Sequence, residues 1–257
     1  MNYKNMEKTD NSDIALLIPA AGKCKGMNYQ FKGLLKIDPF NKISIIENNI
    51  AIAGFLGIKN VIMTLPPINI IRKIKTLKIK SKIKSIFKKY NMRVHFLKEN
   101  NKGIHIDGIK KMNELGLKKG LVLFSDTLYP VQFIRKLIRM NGVVIGTSKK
   151  SKGRDIFILD KKGNIKNILR NKIRSYKGKT QFCWFYDKKI LPELIKFNAV
   201  HPDLSEFIIK FHKKYCPGIF ITDEEIKNIN NKDDLIKARL LVKIKQPIYL
   251  SSSINAT

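Results

Sequence analysis

Cysteine, acidic residues and long apolar runs are what this sequence lacks. Its 257 residues include three cysteines, Cys24, Cys183 and Cys216. They lie far apart and form no C-x-x-C pair, which excludes a disulfide framework and a cysteine-rich zinc site. A reduced, cytoplasmic setting is therefore expected. No continuous apolar run reaches the ~18 to 20 residues of a membrane span, and Met1 to Asp13 is polar, without the apolar stretch of a secretory signal. The four histidines (His95, His105, His201 and His212) show no metal-ligand spacing, and His95 and His105 read as structural. With no internal repeat and no Gly/Ser linker, the chain is expected to comprise a polar tail over 1–13, one domain over 14–242 and a weakly patterned tail over 243–257.

Acid is the largest shortage. Asp+Glu number 20 against 51 Lys+Arg, a formal net charge of +31. Such a charge invites a nucleic-acid hypothesis. The basic residues, however, are spread along the whole chain and travel with Ile and Asn, as in I-I-R-K-I-K-T-L-K-I-K-S-K-I-K-S-I-F-K-K (70–89). Codons for all three residues are rich in A and T, so base composition accounts for the bias and nucleic acid is not the favoured partner. The positive field that remains attracts phosphorylated small molecules.

What is present is apolar periodicity, with hydrophobic residues at 44%. Strand-like runs at Ile14 to Pro19, Lys59 to Leu65, Arg93 to Leu97, Gly120 to Phe124 and Gly142 to Thr147 alternate with helical spacing at Ile45 to Phe55, Ile79 to Tyr90, Ile104 to Leu115 and Val131 to Met140. Repeated β-α-β predicts an α/β fold, a largely parallel sheet covered on both faces. After Lys149 the rhythm changes. Asp155 to Leu159, Ile165 to Leu169 and Gln181 to Tyr186 read as strands of a β-rich segment, with a K-K-G-N turn at 161–164. Leu191 to Phe197, Leu204 to Tyr215 and Asp233 to Val242 read as helices, and Ile219 to Thr222 as a strand. Trp184 and Phe185 read as core or pocket wall.

In open α/β sheets ligands sit at the carboxyl ends of strands. The first such loop is I-P-A-A-G-K-C-K-G-M (18–27), followed by F-K-G-L-L-K-I (31–37). Ala20, Ala21 and Gly22 allow close backbone approach to a ligand, and exposed N–H groups in such a turn hold phosphate oxygens. Lys23, Lys25 and Lys32 add positive charge. The spacing matches neither a P-loop nor the G-x-G-x-x-G of dinucleotide folds.

These motifs resemble the nucleotidyltransferase family, whose signature is a strand, then A-A-G-x-G-x-R-M, a spacer, and P-K-x-L-L. A-A-G-K-C-K-G-M and F-K-G-L-L stand in those places. The likeness continues in K-E-N-N-K-G-I-H-I-D-G (98–108), in L-V-L-F-S-D-T (121–127), in I-L-D-K-K-G-N-I-K-N-I (158–168) and in I-N-N-K-D-D-L-I-K-A (229–238). It implies a three-layer, Rossmann-like (GT-A-like), mixed and mostly parallel sheet with helices on both faces. It also implies transfer of an NMP group from an NTP to a sugar 1-phosphate or similar phosphorylated acceptor, as in nucleotide-sugar biosynthesis, with release of pyrophosphate. On that pattern Lys32, Lys25 and Asp126 are catalytic, and Ala20, Ala21, Gly22, Lys23 and Gly103 bind nucleotide. Asp126 and Asn230 hold Mg²⁺.

The sequence departs from the pattern at several points. The second signature glycine is Cys24, the arginine is Gly26, the proline is Phe31, and the second metal-binding aspartate falls where the chain has Asn228 and Asn230. Asp223 or Glu224 supplies the missing charge if its loop folds inward. The departures leave a second reading open, a relative that binds nucleotide or a partner without efficient transfer; nucleic-acid binding is the third. A glycosyltransferase would need an Asp-x-Asp motif, and the strand ends Ser125-Asp126-Thr127. Several site residues also have plainer readings: Asp126 as the N-cap of the helix beginning at Val131, the lysines as solvated charges, Gly103 as a helix-start turn.

Overall fold

In the computed structural model the described residues are 11–20, 32–38, 43–65, 80–81, 83–98, 106–149, 156–161, 165–169, 179–180, 183–198, 210, 214 and 218–244. The expected 204–215 helix and the K-K-G-N turn lie largely outside them. Among them no helix is long and apolar enough to cross a membrane.

The first strands are β1 (Ile14–Pro19), β2 (Lys36–Asp38), β3 (Ile43–Ser44), β4 (Asn60–Leu65) and β5 (Arg93–Lys98). Next come β6 (Lys119–Leu123), β7 (Thr127–Leu128), β8 (Val144–Ser148), β9 (Ile156–Leu159) and β10 (Ile165–Leu169). The last are β11 (Lys179–Thr180), β12 (Cys183–Asp187), β13 (Gly218–Thr222) and β14 (Lys227–Asn228). Seven form the central sheet in the order β13-β8-β12-β6-β1-β4-β5. Strand β1 pairs parallel with both β4 and β6, β4 with β5 and β8 with β13. Strand β12 alone runs antiparallel, between β6 and β8. The mostly parallel α/β sheet expected from the sequence is therefore present. The β-rich segment differs from expectation in one respect. β9, β10 and β11 make their own three-stranded sheet, whereas the stretch expected at 181–186 starts at Cys183 and enters the middle of the main sheet. Its residues Cys183 to Tyr186 are fully enclosed, which is what a strand covered on both faces requires.

Alternation along each central strand sends side chains to two cores. Leu16, Ile18, Val61, Met63, Leu121 and Phe185 face one layer, built by the Ile45–Phe55 and Val131–Leu137 helices and helical residues 83–89. Leu17, Ile62, Val122, Ile145, Trp184 and Tyr186 face the other, covered by the Ile106–Glu114 and Leu191–Asn198 helices. Trp184 and Phe185 are thus core. The Ile45–Phe55 helix has the bounds its periodicity predicts, and Gly57, at φ 82°, accepts the left-handed turn that ends it. The Val131–Leu137 helix ends three residues earlier than its pattern: Ile138 caps it with a last bond to the Ile134 carbonyl, and Arg139 and Met140 donate only three residues back, in a tight turn.

A third cluster lies beside the sheet's carboxyl end. Ile37, Ile43, Ile45 and Leu128 pack on Leu235, Ala238 and Val242 of the closing helix, Lys232–Ile244. Arg239 Nε donates to the Lys36 carbonyl at 2.9 Å and Lys227 pairs with Asp234 at 3.1 Å, fastening that helix to β2 and β14. Ser44 and Glu47 form a capping box at the start of the Ile45–Phe55 helix. Burial pushes the Glu47 carboxyl up, but hydrogen bonds with Ser44 and the Lys36 ammonium outweigh it and hold the group below its ordinary range.

Candidate functional site

The winding of the chain fixes where a ligand belongs. From β1 it runs outward through β4 and β5, then returns to the other side of β1 with β6. The connections on the two sides diverge there, and the crevice beyond the carboxyl ends of β1 and β6 is the topological switch point at which open α/β sheets bind ligands. Two sequence-predicted residues follow those strands: Lys32 after the loop from β1, and Asp126 three residues past β6.

They meet. Lys32 Nζ lies 3.2 Å from Asp126 Oδ2 although the residues are 94 positions apart, and the pair is only partly enclosed, with side-chain exposures of 12% and 27%. Gly33 makes the approach feasible: a Cβ there would stand 2.8 Å from Ile46 Cδ1 and 3.2 Å from the Ser125 carbonyl oxygen. Of the small-residue loop, Ala20 is described. It is buried, and its N–H donates to the Thr64 carbonyl at 3.1 Å, which sets the loop's departure from β1. Ala21, Gly22, Lys23, Cys24, Lys25, Gly26, Phe31 and Gly103 lie outside the described residues.

Asp126 is not a helix cap. The N-cap of the Val131–Leu137 helix is Pro130, which makes no side-chain cap bond. The aspartate instead rides on a tight turn in which the Thr127 N–H donates to the Phe124 carbonyl at 3.3 Å. Strand β14 docks on that turn, pairing Asn228 with Thr127, while the Ile229 N–H donates to the Asp126 carbonyl at 2.9 Å. Asn228 Nδ2 donates to Thr127 Oγ1 at 3.2 Å, and Thr127 Oγ1 lies 3.5 Å from Asp126 Oδ1. Asn228 Oδ1 is enclosed and accepts no hydrogen bond.

Asn230, the residue matched to the second metal position, does not join the cluster. It is exposed, and its N–H donates to the Asp234 carboxylate at 3.0 Å as part of the start of the closing helix. The two-residue pairing of β14 with β7 puts Asn228 beside Asp126 instead. The charged loop at 223–224 is tied down on both residues. Asp223 is exposed and paired with Lys149 at 2.7 Å, and Glu224 is held through its backbone by the Ser148 hydroxyl and Thr222. Among the described residues no three His, Cys, Asp or Glu side chains gather as a metal cage. An oxygen pair of one carboxylate and one orphaned amide acceptor fits Mg²⁺ nonetheless, since that ion commonly takes one or two protein oxygens and fills its octahedron with water and phosphate.

Two residues at the site were missed in the sequence. Asn49 Nδ2 donates to the Phe124 carbonyl at 3.3 Å and to the Thr127 carbonyl at 3.1 Å. The Phe124 N–H donates to Tyr129 Oη at 2.9 Å, and burial pushes the Tyr129 phenol well above its ordinary range. Consecutive asparagines inside the apolar run I-I-E-N-N-I-A-I-A (45–53) were the available signal, because a polar residue on a buried helix face needs a partner.

No protein-family model and no curated protein sequence matches the chain. Solved structures do. A candidate glucose-1-phosphate thymidylyltransferase from Bacillus anthracis superposes with a TM-score of 0.70 at 11% identity, over 94% of this chain and 99% of that one. The inositol-1-phosphate CTP transferase from T. maritima gives 0.66 at 12% identity, over 93% and 99%. The 4-diphosphocytidyl-2C-methyl-D-erythritol synthase from Anaerococcus prevotii gives 0.59 at 19% identity, over 90% and 96%. At such identities the likeness speaks for architecture, and the chain has the α/β fold shared by these nucleotidyltransferases.

Proposed function

We propose that the protein is a nucleotidyltransferase that moves an NMP group from an NTP to a sugar 1-phosphate or similar phosphorylated acceptor. The observation that carries this reading is the Lys32–Asp126 contact at 3.2 Å in the crevice between β1 and β6. A cation and an anion that face each other at a switch point and stay partly open to solvent can each turn to a ligand that brings the opposite charge. The names of the structural neighbours, a candidate glucose-1-phosphate thymidylyltransferase and an inositol-1-phosphate CTP transferase, support the substrate class.

In the proposed reaction an acceptor phosphate oxygen forms a bond to the α-phosphorus as the α–β bridging P–O bond breaks, and pyrophosphate departs with that bridging oxygen. The protein's contribution is positioning and charge neutralisation. Lys32 steadies the charge that develops on the phosphoryl oxygens, and the backbone at Ala20 starts the small-residue loop that follows the triphosphate. Asp126 and Asn228 are the residues that would hold Mg²⁺, which supplies neutralisation of the phosphates when bound.

The test is a pyrophosphate-release screen of the four NTPs against sugar phosphates and phosphocholine with Mg²⁺. One NTP–acceptor pair should release pyrophosphate well above the no-acceptor level, and Asp126→Ala should abolish the difference. Among the described residues no second carboxylate joins Asp126 in a metal-binding group of three, which favours the second reading, a nucleotide-binding relative without efficient transfer. Saturable nucleotide binding with no release for any pair would establish that one and defeat ours.

A further inference from the structure

The Asp126 turn is held from the core side by enclosed groups. Phe124, Asp126 and Thr127 each present backbone polar groups there, and each is met. Tyr129 Oη takes the Phe124 N–H, the Asn49 amide spans the Phe124 and Thr127 carbonyls, and the Ile229 N–H takes the Asp126 carbonyl. Asn49 and Tyr129 are both fully enclosed. The adjacent Asn48, equally enclosed and on the same helix, has no hydrogen-bond partner on either side-chain atom. The helix thus carries two buried asparagines of like chemistry, and one of them ends on the two carbonyls that flank Ser125-Asp126.

A two-handed donor between residues i and i+3 of a turn fixes the turn's opening, and with it the direction in which the residue at i+2 projects. Removing it leaves the Thr127 carbonyl without its amide donor and the Phe124 carbonyl with the Thr127 N–H alone, which costs the desolvation of an enclosed acceptor. The turn can recover that cost by rotating the carbonyls toward the solvent side, which carries Asp126 away from Lys32.

We infer that Asn49 and Tyr129 are positioning residues that clamp the Phe124–Thr127 turn from the core side and so aim the Asp126 carboxylate into the switch-point crevice. This rests on the reading of Asp126 as the site's acid, and it deepens that reading by tying the site to the buried face of the Ile45–Phe55 helix. The clamp acts through the transition state, so it is kcat rather than nucleotide KM that depends on it.

The experiment compares Asn49→Leu, Asn49→Asp, Tyr129→Phe and Asn48→Leu in the full chain. Two readouts are taken: amide hydrogen exchange at Thr127 and Ile229, and the kcat and KM of pyrophosphate release with the best NTP–acceptor pair. Asn49→Asp is isosteric but has no donor to give, and Tyr129→Phe serves if either Asn49 variant fails to fold. Both clamp positions should exchange those amides at least ~10-fold faster than wild type and lower kcat about 10-fold or more with KM within about twofold. Asn48→Leu should change neither readout. Unchanged exchange at Thr127 and Ile229 overturns the clamp whatever the activity. So does faster exchange with kcat kept, or an equal kcat loss in Asn48→Leu. A wild-type protein inactive with every pair would defeat the functional reading instead, and the exchange data alone would then decide the clamp.

Discussion

The two ends of the central sheet are built from the same strands and use their polar groups differently. At the amino end, loop and strand groups are tied to one another, although the enclosed Tyr186 hydroxyl, on the residue paired with Gly120, has no partner. Asn11 Nδ2 donates to the Leu56 carbonyl, Asn60 Nδ2 to the Ser12 carbonyl, and the Asp13 carbonyl accepts from the N–H groups of Lys118 and Lys119. At the carboxyl end the matching is incomplete. Thr64 Oγ1 in β4, Thr147 Oγ1 in β8 and Asn228 Oδ1 in β14 are enclosed and without partners, and the Lys32–Asp126 pair is open to solvent on one side. Each unpaired buried group costs stability, and Asn228 Oδ1 is the one that stands beside the Asp126 turn. The amino end is the closed one, tied by hydrogen bonds between loops and strands, and the carboxyl end is the open one, which holds the candidate site.

The contrast can be broken at several places. The largest effect is expected at the open end. Asp126→Ala and Lys32→Met should each lower pyrophosphate release ~10²- to 10³-fold while leaving the circular dichroism spectrum unchanged. Retained activity in either variant would remove the switch-point crevice as the site. Gly33→Ala tests the close approach. Its added methyl must displace the Ile46 side chain or the Ser125 carbonyl, and the unfolding free energy should fall by about 1–3 kcal/mol with a loss of turnover in the same protein. At the closed end, Asn11→Ala should cost about 1 kcal/mol of stability in urea and leave turnover untouched, the reverse of the Lys32 pattern. Asn48→Leu replaces a buried amide that bonds to nothing with apolar volume, and the melting temperature should rise, by the equivalent of about 1 kcal/mol.

The smallest effect concerns acid. Because the Glu47 carboxyl is held below its ordinary range in the folded protein, its contribution to stability is complete above that range, about pH 4, and is lost as pH falls through the depressed value. Ser44→Ala should flatten the loss of urea midpoint between neutral pH and about pH 3, and an unchanged pH slope would show that the capping box does not set it.

Much of the fold was legible because its parallel strands are continuous apolar runs. Ile14–Pro19 and Ile45–Phe55 have the bounds that periodicity gives, and β4, β5, β6 and β8 differ from it by a residue or two. What was not legible is order across the sheet. Nothing in C-W-F-Y-D marks Cys183–Asp187 as an antiparallel insertion between β6 and β8, because a strand enclosed on both faces looks alike in either direction. The two-residue strands β7 and β14 are too short to carry a period, and the match of Asn230 rather than Asn228 to the second metal position follows from that. Asp126 could be named because it stood just past a strand end, and Lys32 because its spacing from the A-A-G turn matches the signature it resembles. Asn49 and Tyr129 lie inside a helix and before one, where only three-dimensional neighbours reveal what a polar group is for. The capping box S-I-I-E at 44–47 was readable by its spacing alone and was missed.

The parallel pairing of β1 with β6 has a consequence for how the protein comes into being. Ala15 lies in register with Gly120, and β4 and β5 occupy the other flank of β1. Lys32 and Asp126 therefore have no encounter until a long stretch of intervening polypeptide has been made and folded back. Loop closure of that kind slows folding. During synthesis the early β1–β4–β5 unit would wait with one edge of its hub strand bare, and the arrival of β6 would both cover that edge and complete the ion pair in a single event.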